Sequence, residues 1–160
     1  MLENLNPLVG KPYVDGLQDC YTLAIKYYQQ EFGIELTDYA RPTNWYLSNQ
    51  YNFFEKLYST EGFTEVGTNP RGVTIGDMIL MCVGRSEVIN HCAIYVGQGK
   101  ILHHLVGQYS KLEAYSDKWR IRVKLVIRHP YIEKVQQSFD MSIMSQAPHQ
   151  VRQKMRGDTE

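Results

Sequence analysis

One cysteine and two histidines in this chain have the residue types and settings that a cysteine nucleophile and its base require. Cys20 opens a segment with helical periodicity, and His91 and His103 lie in segments with strand character. The unpaired N–H groups and the positive dipole end of a helix start favour a thiolate. These three residues therefore predict acyl transfer through a thiol.

The two histidines are spaced so that a simple turn would bring them together. His103 follows His91 by twelve residues, across the sequence Gly97-Gln98-Gly99. Glycine at such a position is typical of a hairpin turn. We expect a hairpin that presents both imidazoles on one surface, with His104 alternating away from it.

The same three side chains allow other interpretations. A lone cysteine in an apolar helix is more often part of the core, and Cys20, His91 and His103 could also hold zinc with one open position. No carboxylate motif or close ligand pair supports zinc, so we expect no metal and no cofactor. Cys82 and Cys92 lie in apolar strand patterns and are interpreted as small buried hydrophobic residues.

The bulk composition limits the classes of partner. The chain has 160 residues, 17 basic and 17 acidic, and 43% hydrophobic residues. This length suggests one domain with a real core, and the balanced charge offers no argument for nucleic acid. No apolar run reaches the roughly 20 residues that span a bilayer, so we expect no membrane insertion. The N-terminus lacks the basic start of a secretory signal, which predicts synthesis in the cytosol.

Helices are predicted in the first part of the chain. Residues 1–18 are predicted to be irregular, because Pro7, Gly10 and other breakers interrupt any period. The first helix is predicted from Asp19, as N-cap, to Phe32, before a terminating Gly33. A second helical region is predicted between residues 43 and 60.

Strands are predicted in the second part. Apolar or alternating segments cover residues 77–83, 91–96, 100–106 and 119–128, the last as one or two strands. Helices followed by an antiparallel sheet predict the α+β class. We predict a 1–130 domain and a polar 131–160 extension that docks on a partner, because this extension is too poor in apolar residues to form a core.

From about residue 10 to residue 128 the chain resembles the NlpC-type cysteine peptidases. The segments that carry the likeness are Pro12-Tyr13, Asp19-Cys20, Gly76-Asp77, His91 to Gly97 and Ile101 to His103. The resemblance implies a papain-like fold in which N-terminal helices pack on a central antiparallel sheet. It also implies that Cys20 attacks, His91 acts as the base and His103 orients that base.

Three further residues near the nucleophile are predicted to contact substrate or the oxyanion. They are Tyr13, Asp15 and Asp19. The Tyr13 hydroxyl is a candidate oxyanion donor beside the Cys20 backbone N–H. Asp15 suits a substrate amine, although simple solvation in a loop is the more common role of such a residue.

Tyr21 and Thr22 follow the cysteine at the positions where most NlpC-type proteins have Ser-Gly. The Tyr-Thr pair resembles the bacteriophage tail-assembly branch of this family. The resemblance implies an endopeptidase of the virion tail tip, made in the host cytoplasm, that cuts peptidoglycan stem peptides in the periplasm during DNA entry. Other tail-tip proteins are the implied partners. The alternatives are a structural tail-tip component and an assembly protease with the same fold.

Overall fold

The structure, a computed structural model, describes residues 2–146. They belong to two compact units, one ending at His129 and the other beginning at Pro130. The second unit contains a helix, α4, that covers Pro130–Gln146. The predicted partner-docking role of residues 131–160 stays a prediction, and residues 147–160 lie outside the described part.

Helix α1 covers Cys20–Phe32, and its two ends follow the predicted capping. The Asp19 carboxylate accepts a 3.0 Å hydrogen bond from the Thr22 backbone N–H, which satisfies one of the first-turn donors. At the other end Gly33 adopts a left-handed conformation with φ of 65°, which glycine enters without steric cost. Cys20 is therefore held in the first turn of α1.

The sheet has six strands in the order β1-β6-β2-β3-β4-β5, and every neighbouring pair is antiparallel. The strands are β1 Thr64–Gly67, β2 Met78–Met81, β3 His91–Gly97, β4 Lys100–His103, β5 Lys111–Ala114 and β6 Val123–Arg128. The predicted α+β class is confirmed. β5 was not predicted, because its side chains alternate only weakly between buried and exposed.

A tight hairpin joins β3 to β4 and sets the positions of the two histidines. Gln98 and Gly99 form its turn with φ of 55° and 66°, the left-handed pair that a two-residue hairpin requires. The resulting register places Ala93 opposite His103. His91 lies two residues before Ala93 on the same face of β3, so the imidazoles are diagonal neighbours.

Shorter helices complete the first unit: α2 covers Phe53–Thr60, α3 covers Asp117–Arg120, and a 3₁₀ turn covers Trp45–Leu47. The prediction that residues 1–18 are irregular holds for residues 9–18, but it was wrong for the first of these residues, because Leu2–Leu8 form a 3₁₀ helix. Its leucines recur every third residue, the 3₁₀ period, and Leu5 and Leu8 are buried.

The strand predicted from Trp119 begins later, at Val123, because α3 contains Trp119 and Arg120. The Trp119 side chain is buried in the core beside Ile79, Ala93 and Tyr115. Helix α1 packs against β3 and β4. No helix within residues 2–146 is long and apolar enough to cross a bilayer.

Candidate active site

Cys20 and His91 line a common cavity of about 430 Å³ that is open to solvent. This volume is in the range of small-ligand and peptide sites. Tyr13 and the aromatic side chains of the Trp45–Leu47 turn form part of the wall. The start of α1, with Cys20, and the start of β3, with His91, therefore meet at one accessible cleft.

A hydrogen-bonded chain leads from the cleft into the protein. His91 Nε2 lies 3.0 Å from His103 Nδ1, and His103 Nε2 lies 2.6 Å from Glu113 Oε1. His103 is 1% exposed, so it lies behind His91 rather than in the cleft. Its ring also contacts Trp119 edge to face, with 4.8 Å between ring centroids.

The partners of this chain determine which nitrogen carries each proton. The Glu113 carboxylate only accepts, so His103 Nε2 donates to it and His103 Nδ1 accepts from His91 Nε2–H. The second nitrogen of His91, Nδ1, is then left to exchange a proton with Cys20. Burial lowers the pKa of His91 and of His103, but the hydrogen bond to Cys20 opposes this shift for His91, so Cys20 and His91 share one proton.

The electrostatics of the Cys20 thiol favour the thiolate. Burial alone would raise its pKa, but hydrogen bonds from Cys92 and His91 lower the pKa to about 6. Burial raises the pKa of Cys92 well above its ordinary value. Cys92 therefore keeps its proton and acts as the S–H donor to the Cys20 thiolate.

Removing the Cys92 donor is expected to shift the titration of Cys20. Because a thiolate is the reactive form, alkylation of Cys20 by iodoacetamide should fall as the pH drops through about 6. In Cys92→Ala the thiolate loses a hydrogen bond, so the midpoint should move to higher pH. Peptide mapping by mass spectrometry measures this midpoint. Cys82→Ala is the matched control, and superimposable wild-type and Cys92→Ala profiles would contradict the assignment.

Asp19 lies beneath the nucleophile rather than beside a substrate. It is fully buried, and its carboxylate accepts hydrogen bonds from Thr22 and from Arg41, whose Nε lies 2.7 Å from Oδ2. The prediction that Asp19 contacts substrate or an oxyanion is therefore not supported. Both carboxylate oxygens are used to anchor the start of α1.

Tyr13 and Asp15 occupy different positions around the cleft. Tyr13 lines the cavity, and burial together with the nearby Cys20 and Asp19 charges raises its pKa, so its hydroxyl stays protonated. Asp15 is not among the described residues that line the cavity. It accepts hydrogen bonds from the Asn44 backbone, at 2.8 Å, and from Tyr13. Asp15 thus anchors the loop, while Tyr13 faces the reacting region.

Four residues near the site were missed or misjudged from the sequence. Cys92 is buried as predicted, but its effect of lowering the Cys20 pKa was not predicted, and Arg41 and Glu113 gave no motif signal. The prediction that His104 points away was wrong. It lines the cleft because β4 ends at His103, and strand alternation no longer applies beyond that residue.

The described residues offer no arrangement for a metal ion. Within residues 2–146, no group of three or more His, Cys, Asp or Glu side chains is placed to coordinate one. The contacts of Cys20, His91 and His103 instead form a linear relay, which suits proton transfer.

Comparison with known proteins places this chain in a family. Residues 10–128 match the NlpC/P60 family. The chain is 39% identical over 122 residues to tail tip assembly protein K of Escherichia phage lambda, covering 76% of the chain and 59% of that protein. It is 34% identical over 125 residues to tail tip assembly protein K of Escherichia phage N15, covering 77% and 49%. The chain thus spans about half the length of these relatives.

The fold agrees with a solved member of the same family. The crystal structure of the NlpC/p60 domain of peptidoglycan hydrolase SagA superposes with a TM-score of 0.51 at 18% identity, covering 79% of this chain and 94% of that one. The predicted NlpC-type α+β fold and the predicted likeness to the phage branch are confirmed. Because the family match covers most of the chain, this protein belongs to the NlpC/P60 family.

Proposed function

We propose that this chain is a bacteriophage tail cysteine peptidase that hydrolyses amide bonds in the peptide stems of peptidoglycan. The observation that carries the proposal is the Cys20–His91–His103 relay, which ends at an open cavity. Membership of the NlpC/P60 family supports peptidase chemistry. SagA supplies an example of a peptidoglycan hydrolase with this fold.

In the proposed reaction the proton that Cys20 loses is held on His91 Nδ1, and Cys20 Sγ attacks the carbonyl carbon of the scissile amide and forms a C–S bond. The oxyanion receives hydrogen bonds from the Cys20 backbone N–H, a first-turn donor without an intrahelical acceptor, and from the Tyr13 hydroxyl, which gives up its 3.4 Å contact with Asp15 Oδ1. His91 then protonates the leaving amine as the C–N bond breaks. Water attacks the thioester, His91 accepts its proton, and the Cys20 thiolate leaves.

The proposed place of action is the virion tail. The relatives from phages lambda and N15 are tail tip assembly proteins, which supports a tail location and other tail-tip proteins as partners. Local cutting of the wall during DNA entry then explains why a tail carries a peptidase. A structural tail component with the same fold is the second candidate, and the exposed apolar residues of α4, among them Tyr131 and Met141, favour it.

Release of stem fragments from purified sacculi tests the enzymatic proposal. The wild-type protein should release soluble stem peptides, and Cys20→Ala should reduce this release to background, because the thiolate forms the covalent intermediate. Mass spectrometry of the soluble fraction identifies the cut bond.

The matched control is Cys82→Ala, which removes a thiol outside the cavity and should retain full activity. Equal release by the wild-type protein and Cys20→Ala would refute hydrolysis. If hydrolysis were refuted in this way and phage particles carrying Cys20→Ala still assembled normal tails, a structural role would be the better explanation.

A further inference from the structure

The wall of the cleft carries a single formal positive charge that the proposed mechanism does not use. Arg85 is the one cationic residue among the described residues that line the cavity, and none of them is Asp or Glu. Much of the remaining wall is apolar, including Leu47, which is 68% exposed, and Val106, which is 43% exposed. A cation on a mostly apolar wall is the arrangement that orients a ligand of opposite charge.

The guanidinium of Arg85 is available to a ligand. It is exposed, and within residues 2–146 no hydrogen bond or ion pair joins its side chain to another group. Arg41 provides the contrast, because its guanidinium is buried and bonded to Asp19 and Asp38. Arg85 therefore has no structural partner in the described part of the chain that a ligand would need to displace.

The loop that presents Arg85 is held in place by side-chain hydrogen bonds. Asn90, which is buried, accepts from Val83 N at 2.8 Å and donates to Val83 O at 3.1 Å and to Tyr46 O at 2.9 Å. Ser86 Oγ closes the loop by donating to Val88 O at 2.6 Å. Asn90 thus ties the Arg85 loop to the aromatic wall of the cleft and limits the entropy lost on binding.

The charge balance of the cleft shows what this cation accomplishes. Cys20 and His91 share one proton, so this pair adds no net charge to the cleft, and burial lowers the pKa of His104. Without Arg85 the lining would carry no net charge and would offer an acidic ligand no ionic partner. With Arg85 the cleft accepts a carboxylate, which a guanidinium binds through two parallel hydrogen bonds.

We propose that Arg85 is a specificity-determining residue that binds a free carboxylate of the substrate peptide within the Cys20 cleft. The protein then prefers the acid form of a peptide over the corresponding amide. This inference rests on the proposed peptidase function, since it identifies the substrate class of the same site.

A pair of synthetic stem peptides tests the proposal. The two are identical except that the free α-carboxylate of one glutamate residue is a carboxamide in the second. For the wild-type protein kcat/KM should be about 10- to 100-fold higher for the acid, the usual value of a charge-assisted hydrogen bond. Arg85→Gln should lose this preference, because kcat/KM should fall for the acid and stay nearly unchanged for the amide. Arg85→Lys should restore part of the preference.

Binding measurements separate this inference from the peptidase proposal. Calorimetry with Cys20→Ala gives Kd for both peptides without hydrolysis. The same measurement with the double variant Cys20→Ala/Arg85→Gln gives the contribution of Arg85 to each Kd. Arg71→Gln is the matched control, because it removes an exposed arginine outside the cavity. If Cys20→Ala bound the acid more tightly than the amide but the wild-type protein hydrolysed neither peptide, the peptidase proposal would be refuted. Recognition of the carboxylate by Arg85 would still be supported. Hydrolysis with equal kcat/KM for acid and amide, or no binding of either peptide, would overturn the role of Arg85.

Discussion

His91→Ala is expected to lower kcat/KM for stem-peptide hydrolysis by roughly 10²- to 10⁴-fold, the usual contribution of a positioned acid–base group. Two effects combine in this loss. The leaving amine no longer receives a proton from His91, and the Cys20 thiolate loses a hydrogen bond that lowers its pKa. Steady-state kinetics on a defined peptide measure the first effect, and iodoacetamide labelling of Cys20 at pH 7 measures the second.

The matched control for this variant is His129→Gln. The His129 ring contacts Phe63, at 5.2 Å between centroids, and it is not among the described residues that line the cavity. Its replacement should change kcat/KM by less than about threefold, as for most substitutions away from a site. If folded His91→Ala retained more than a tenth of the activity, the base would have to be another group, and His104 lines the same cleft.

Asp19→Ala is expected to lower the free energy of unfolding by about 3–5 kcal/mol, because the buried guanidinium of Arg41 loses its buried carboxylate partner and keeps only the exposed Asp38. The side chains of Asp19 and Arg41 are both fully buried, and their closest atoms are 2.7 Å apart. Arg41 also donates to the Gly16 carbonyl at 3.0 Å and to the Tyr39 carbonyl at 2.7 Å. Urea unfolding followed by circular dichroism measures the change.

The exposed pair of Asp117 and Arg120 is the control for this experiment. These side chains approach within 2.9 Å, but Asp117 is 79% exposed, so Asp117→Ala should cost no more than about 1 kcal/mol. In the double variant Asp19→Ala/Arg41→Met the loss should be smaller than the sum of the single losses, since no buried charge remains unpaired. Strictly additive losses would show that the pair is not coupled.

Local features of this protein were predictable because they depend on residues only a few positions apart. The Asp19 cap contacts Thr22 three residues later, and the β3–β4 turn needs only Gln98 and Gly99 in the left-handed conformation. Both are within the range over which side chains and backbone interact in the unfolded chain. The location of Cys20 at a helix start and the pairing of the histidine strands followed from these features.

Side chains that contact site residues from distant parts of the sequence were not predictable from local pattern. Glu113 lies on β5, a strand too weakly patterned to recognise, and it reaches His103 only because β4 and β5 pair in register. Arg41 lies in a connection without regular structure and meets Asp19 through the path of the chain around α1. Neither residue has a neighbour in sequence that would identify its partner.

The sequence by itself determined the family, the α+β class, the helix start that holds Cys20 and the hairpin that carries His91 and His103, since each depends on local pattern or on recognisable motifs. Only the tertiary structure decided that Cys92 lowers the pKa of the nucleophile, that Glu113 sets the tautomer of His103 and that Arg85 supplies the positive charge of the cleft. These relations depend on strand register and loop paths, which are properties of the whole packed chain.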